Sequence, residues 1–200
     1  MKTQVKLSFL VLLLVSGFIV SAQQHPSKCG KWRWDVKTLT DQDGTGLLTQ
    51  TPTQSTIDEL VVVIPPKILH ADNQSDGKVP RFSTENKVVE IIAFVTEVKH
   101  ENDDSDLQII LKSPNSAITM IGEIPDPTCP AFDKFPQLRD QFTKAKLDGK
   151  AIWNTLKKTH KPVKVKITGV PFWDGIRDTN PTGASQYCRE IHPILKIEAL

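Results

Sequence analysis

From residue 88 onward, apolar and polar side chains alternate in short runs that predict three strands, a helix and two further strands. Residues 88–98 read as a long first strand. Val89, Ile91, Ala93 and Val95 share one face, and Val88, Glu90, Ile92, Phe94 and Thr96 the other. Both faces are mostly apolar, as suits a strand lying between a barrel interior and a packed arm. Residues 106–111 place Leu107, Ile109 and Leu111 inward and Asp106, Gln108 and Ile110 on the opposite face. Residues 118–124 alternate Ile118, Met120, Gly122 and Ile124 against Thr119, Ile121 and Glu123, and Pro125-Asp126-Pro127 ends the run because proline cannot donate to a ladder. Leu138, Phe142 and Ala145 then form one apolar helical face after Pro136. Asp148-Gly149 is expected to break this helix, with Ile152, Trp153 and Leu156 continuing beyond it. Residues 163–170 and 190–198 supply the last two strands.

The order β-β-β-α-β-β is that of an OB-fold. The expected fold is therefore mainly β: an OB-fold-like five-stranded barrel over 87–200, carrying an irregular N-terminal arm over 23–86. The arm is rich in Thr, Pro, Asp and Gln. Ser55 and Thr56 ahead of Asp58-Glu59 predict one capped helical turn before its single dense apolar run at 60–64. Residues 70–80 read as a polar loop.

Residues 1–22 read as a signal peptide. Lys2 and Lys6 precede an apolar run of about 14 residues, short of the roughly 20 that span a bilayer, and Val20-Ser21-Ala22 offers a cleavage site. The mature chain is expected to carry no transmembrane segment and to be secreted or periplasmic. The 25 basic and 23 acidic side chains leave a net charge of +2. Bulk charge therefore does not hold this protein to nucleic acid or a membrane, and anion binding would need a local patch. Three cysteines remain in an oxidising setting, so one disulfide is expected with one thiol left over. Cys29–Cys129 is the favoured pairing because it ties the arm to the barrel. Its loop of about 100 residues would contribute on the order of 4 kcal/mol in the chain-entropy picture.

Alternation also selects the candidate chemistry. Asp106 and Gln108 share a face of the second strand, Glu123 lies on the matching face of the third, and Glu190 and His192 share a face of the fifth. In an OB barrel these three strands are neighbours, so the five side chains are expected to meet in one shallow site. Carboxylates with an imidazole suit a divalent cation or acid–base work, with Asp106, Glu123 and His192 as the candidate metal ligands. The bland alternative is a solvated strand face. Trp173, beside Phe172, is an added candidate for stacking on a sugar or base, as are Trp32 and Trp34, although packing is the commoner role of tryptophan. Asp41-Gln42-Asp43-Gly44 imitates half of a calcium loop, but Pro52 stands where the bidentate Glu belongs, so a tight polar turn is expected. Lys157, Lys158, His160, Lys161, Lys164 and Lys166 read as a solvated basic face. No hydrolase, zincin, nucleotide-binding or dinucleotide signature occurs.

Several pieces resemble a family of small secreted bacterial proteins, mostly functionally uncharacterised, with an OB-like barrel. They are Arg33-Trp34-Asp35-Val36-Lys37-Thr38 with Asp41, Asp103-Asp104-Ser105-Asp106, Met120-Ile121-Gly122-Glu123-Ile124-Pro125-Asp126-Pro127 with Cys129, Thr168-Gly169-Val170, and Glu190-Ile191-His192-Pro193-Ile194-Leu195. The resemblance implies a secreted barrel and functional roles for Asp106, Glu123, Glu190 and His192. Gln108 departs from the family pattern, which favours His, and this lowers a metal-dependent or catalytic reading. The expected function is thus a non-enzymatic, exported binding module. It would recognise an extended polymer (an oligosaccharide or a single-stranded oligonucleotide) or a partner through the face of strands two and three, with the 99–105 and 174–189 loops completing the site. A divalent-metal phosphodiesterase is the first rival and a structural or inhibitory protein the second. No cofactor is expected; a divalent cation is the one these residues would suit.

Overall fold

The computed structural model of the chain describes residues 29–30, 32–66, 79–102, 104–175 and 181–200. The signal-peptide reading and most of the 70–80 loop lie outside them. No described helix is long and apolar enough to cross a membrane.

The fold is mainly β, a closed five-stranded mixed barrel consistent with the expected OB-like order of elements. Its strands are β2 (Val89–His100), β3 (Leu107–Lys112), β4 (Thr119–Ile124), β5 (Val163–Trp173) and β6 (Arg189–Ala199), with β1 (Thr53–Gln54) added at the edge. They run in the order β1-β2-β3-β4-β6-β5, and β2 pairs with β5 to close the cylinder. The β4–β6 pairing is parallel, and the other barrel pairings are antiparallel. The first strand runs to His100, longer than its apolar alternation reached, because one strand serves two neighbours. Its first half pairs with β5 and its second half with β3, with a register shift between Val95 and Glu97.

The inward residues are those the alternation selected. Val89, Ile91, Ala93 and Val95 of β2 pack with Leu107, Ile109 and Leu111 of β3 and with Ile167 and Ile191 in one buried cluster. Helix α3 (Pro136–Thr159) lies against this core with Ala145 and Ile152. It opens on proline, tolerated where the missing N–H has no helical partner, and ends on His160 in the left-handed region at φ 54°. The expected break at Asp148-Gly149 is absent, and α3 runs unbroken for 24 residues. Gly149 permits close approach rather than a bend. A Cβ there would stand 2.9 Å from Leu107 Cδ2 and 3.1 Å from Ile124 Cδ1.

The arm is pinned at several points. Cys29 and Cys129 form the favoured disulfide, which leaves out the buried Cys188. Helix α1 (Trp34–Lys37) follows, and helix α2 (Ile57–Val61) has the expected cap, a reciprocal box between Thr56 and Glu59. Leu39 and Leu47 join Phe132, Leu138 and Phe142 in a second core between the arm, α3 and the barrel. Asp41 belongs to a polar turn, held by Arg81 at 2.6 and 2.9 Å.

Candidate functional site

The five polar residues selected by alternation meet on the outer side of the barrel wall. Gln108 on β3 and Glu123 on β4 are direct register partners. Glu190 on β6 stands opposite Ile121 of β4, and His192 follows two residues later on the same face. Asp106 enters at the residue before β3. Gln108 Nε2 donates to Glu123 Oε1 at 2.9 Å, and His192 Nδ1 lies 2.9 Å from Glu123 Oε2 and 3.2 Å from Glu190 Oε1. On the other side of the ring, His192 Nε2 lies 3.3 Å from Asp106 Oδ2, off the line for a hydrogen bond. Asp106 Oδ1 accepts the backbone N–H of Asp126 at 3.0 Å.

Neither the shallow site nor the solvated face describes this place. His192 and Asp106 are 0% exposed, and Gln108, Glu123 and Glu190 are buried. The arm accounts for part of the cover. Lys37, from α1, sends its ammonium to 3.9 Å from Glu123 Oε2 and 3.7 Å from Asp174 Oδ1. Phe172 backs the site, its ring centroid 5.7 Å from that of His192 and 5.5 Å from Lys37 Nζ.

A pocket of about 540 Å³ opens above the cluster, lined among others by Trp32, Trp34, Lys37, Lys99, Glu101, Asp104, Gln108, Glu123, Asp174 and Glu190. Both loops expected to flank the site contribute, through Lys99, Glu101 and Asp104 on one side and Asp174 and Pro181 on the other. Trp173 does not join them. It is fully buried, its backbone N–H bonded to Glu85 and its indole N–H to Thr84, with the Arg189 guanidinium 4.2 Å from its ring centroid. The residue whose β5 position faces the cluster is Phe172. Asp104 and Asp174 belong to the two loops expected to complete the site, although neither is singled out by its residue type, and Lys37 is the site residue the sequence reading leaves out. For Lys37 the available signal was its place in the Trp-containing segment that follows Cys29.

Crowding separates the carboxyl groups. Burial, with Glu123 and Asp174 nearby, raises Glu190 to about 7. Burial also acts to raise Glu123, but the His192 hydrogen bond and the Lys37 charge outweigh it and hold this carboxyl at about 2. Burial lifts Asp106 to about 6 against the pull of His192. Burial and Lys37 act to lower His192, yet its three carboxylate neighbours hold the imidazole well above its ordinary value. Burial disfavours the charged form of Lys37, and Asp174, Glu190, Glu123 and Asp106 together keep it protonated above its ordinary range. Near neutrality the site therefore pairs an ionised Glu123 with a Glu190 that is partly protonated, beside two fixed cations. Carboxyl groups tuned apart in one cleft are a mark of binding and catalytic sites.

In sequence comparisons no family model matches the chain, and no curated protein matches it.

Proposed function

We propose that this protein is an exported binding module that holds a neutral, hydroxyl-rich ligand, an oligosaccharide, in the pocket over β3, β4 and β6. The observation that carries this reading is unspent hydrogen-bonding capacity in an aromatic-walled pocket. Among the described residues, the indole N–H of Trp34 and the amide oxygen of Gln108 have no partner, and both side chains line the pocket. Buried polar groups rarely go unsatisfied, and those that do call for a ligand or water. Sugar hydroxyls both donate and accept, so they meet a lone N–H, a lone oxygen and a row of carboxylates equally well. Trp32, half-buried beside Phe172 with ring centroids 6.0 Å apart, offers a flat face for stacking.

Charge separates the two polymers that OB barrels commonly bind. Glu101, Asp104, Glu123, Asp174 and Glu190 line the pocket against Lys37 and Lys99. A phosphodiester chain would enter a predominantly acidic mouth, which disfavours an oligonucleotide. The phosphodiesterase alternative meets the same repulsion unless a cation is bound first. A glycan array run beside single-stranded DNA at low salt is the direct test. Binding to a neutral glycan is expected, weakened at least about tenfold by Trp32→Ala as a stacking platform is lost. Silence across the array, or a preference for DNA, would overturn the reading.

A further inference from the structure

We infer that Asp106, Glu123 and His192 form the binding site for one divalent transition-metal ion of the Mn²⁺ or Zn²⁺ class, buried beneath the pocket that Glu123 lines. This goes beyond the oligosaccharide reading and does not depend on it. Each residue offers one donor atom, and these atoms all lie within 4.8 Å of one another. Donors about 2.0–2.5 Å from a shared ion stand roughly 3–5 Å apart, so one small cation fits once the imidazole, which stands between the two carboxylates, turns one nitrogen toward both.

Hydrogen bonding around the trio leaves the right atoms over. Asp106 Oδ1 is tied to the Asp126 N–H at 3.0 Å and Glu123 Oε1 to the Gln108 amide at 2.9 Å. The remaining oxygens flank the imidazole, Asp106 Oδ2 at Nε2 and Glu123 Oε2 at Nδ1. Among the described residues Asp106 Oδ2 and His192 Nε2 have no hydrogen-bond partner, although both side chains are completely buried. Leaving two such atoms unsatisfied is costly, and a shared ion satisfies both by taking the place of the proton the imidazole otherwise holds, which is released to solvent. The arrangement is that of ligands oriented by outer-shell partners. It also gives Gln108 a role: it positions Glu123 and does not itself ligate. An imidazole with two carboxylates selects Mn²⁺ or Zn²⁺ over Ca²⁺, which takes oxygen donors almost exclusively.

The test uses the full chain, untagged and stripped with EDTA, titrated calorimetrically with MnCl₂ and with ZnCl₂ in the absence of any sugar. One ion per chain is expected, with elemental analysis of the dialysed protein confirming the ratio. Glu123→Gln and Asp106→Asn keep side-chain shape, and each is expected to weaken binding at least about tenfold while circular dichroism shows the wild-type fold. Folded wild-type protein that takes up no ion at about 1 mM, or binds one with an affinity both variants leave unchanged, would overturn the inference. Because no glycan is present, either result stands whatever the sugar screen returns.

Discussion

The barrel wall carries two buried ionic clusters that are built on opposite rules. Around Arg33 the ion pair itself is fully bonded, although the neighbouring buried Arg189 leaves Nε and Nη1 without hydrogen-bond partners among the described residues. The Arg33 guanidinium makes two hydrogen bonds to Glu85, at 2.8 and 2.6 Å, and donates its remaining N–H groups to the carbonyls of Val79, Pro80 and Trp173. Glu85 completes its own set with the backbone N–H groups of Trp173 and Phe82. The rings of Phe82 and Phe172 stand 4.8 and 4.7 Å from Arg33 Cζ. Around His192 the carboxylates of Asp106, Glu123 and Glu190 crowd one imidazole and one lysine, and among the described residues three buried atoms there, Asp106 Oδ2, Gln108 Oε1 and His192 Nε2, lack hydrogen-bond partners. A balanced, fully bonded pair fastens an arm to a barrel. An unbalanced, partly bonded cluster beneath an open pocket is costly to keep, and the ligand proposed above would give the reason to keep it.

The comparison breaks most easily at its structural end. Glu85→Ala strands Arg33 in the core and deprives two backbone N–H groups of their acceptor. A loss of about 5 kcal/mol is expected, at the upper end for breaking a buried pair, read by urea unfolding at pH 7. The disulfide closes the segment that carries both Arg33 and Lys37 onto the barrel across a separation of 100 residues. Replacing Cys29 and Cys129 with serine is expected to cost on the order of 4 kcal/mol, with the same measurement.

The ligand cluster should respond with the opposite sign. Glu190 titrates near 7 in the folded chain against an ordinary value of 4.5. Below 4.5 both folded and unfolded states hold the proton. Between 4.5 and 7 only the folded state keeps it, so wild-type stability falls as pH rises through that window, and the loss is complete above 7. Glu190→Gln removes this loss. The variant is expected to match wild type at pH 4 and to exceed it by on the order of 3 kcal/mol at pH 8, checked by unfolding at both values. Equal stability at pH 8 would make the cluster as neutral a structural feature as the clamp. An exposed pair sets the lower bound of the scale. Lys166 reaches Glu90 and Glu198 at 3.6 and 3.5 Å with a third of its side chain exposed. Lys166→Ala is expected to cost at most about 0.5 kcal/mol, falling further at high salt.

Alternation made the ligand cluster legible and left the clamp invisible. Asp106, Gln108, Glu123, Glu190 and His192 lie on strands whose neighbours follow from the order of elements, so period two and topology together bring them to one face. Arg33 and Glu85 lie 52 residues apart in segments with no periodicity, and only the folded arm joins them. Lys37 escaped for the same reason, and with it the burial of the site, because an irregular arm leaves no pattern saying what it covers. Gly149 misled because a glycine that breaks a helix and one that lets a helix lie close on a sheet look alike in sequence. Trp173 was placed at the pocket by its adjacency to Phe172. On a strand, adjacent side chains point to opposite faces, so Phe172 lies between His192 and Arg33 while Trp173 turns to Thr84 and Arg189.

The four tryptophans report on these regions separately. Trp32 and Trp34 line the pocket, Trp173 belongs to the clamp, and Trp153 lies on α3 beneath Lys157. The most direct test of a ligand site at the His192 cluster is to follow the four indole N–H signals by NMR while a neutral oligosaccharide from the array is added. The Trp32 and Trp34 signals are expected to shift and saturate together while those of Trp153 and Trp173 stay in place. Motionless Trp32 and Trp34 signals, or shifts confined to Trp153 and Trp173, would contradict the assignment of this pocket.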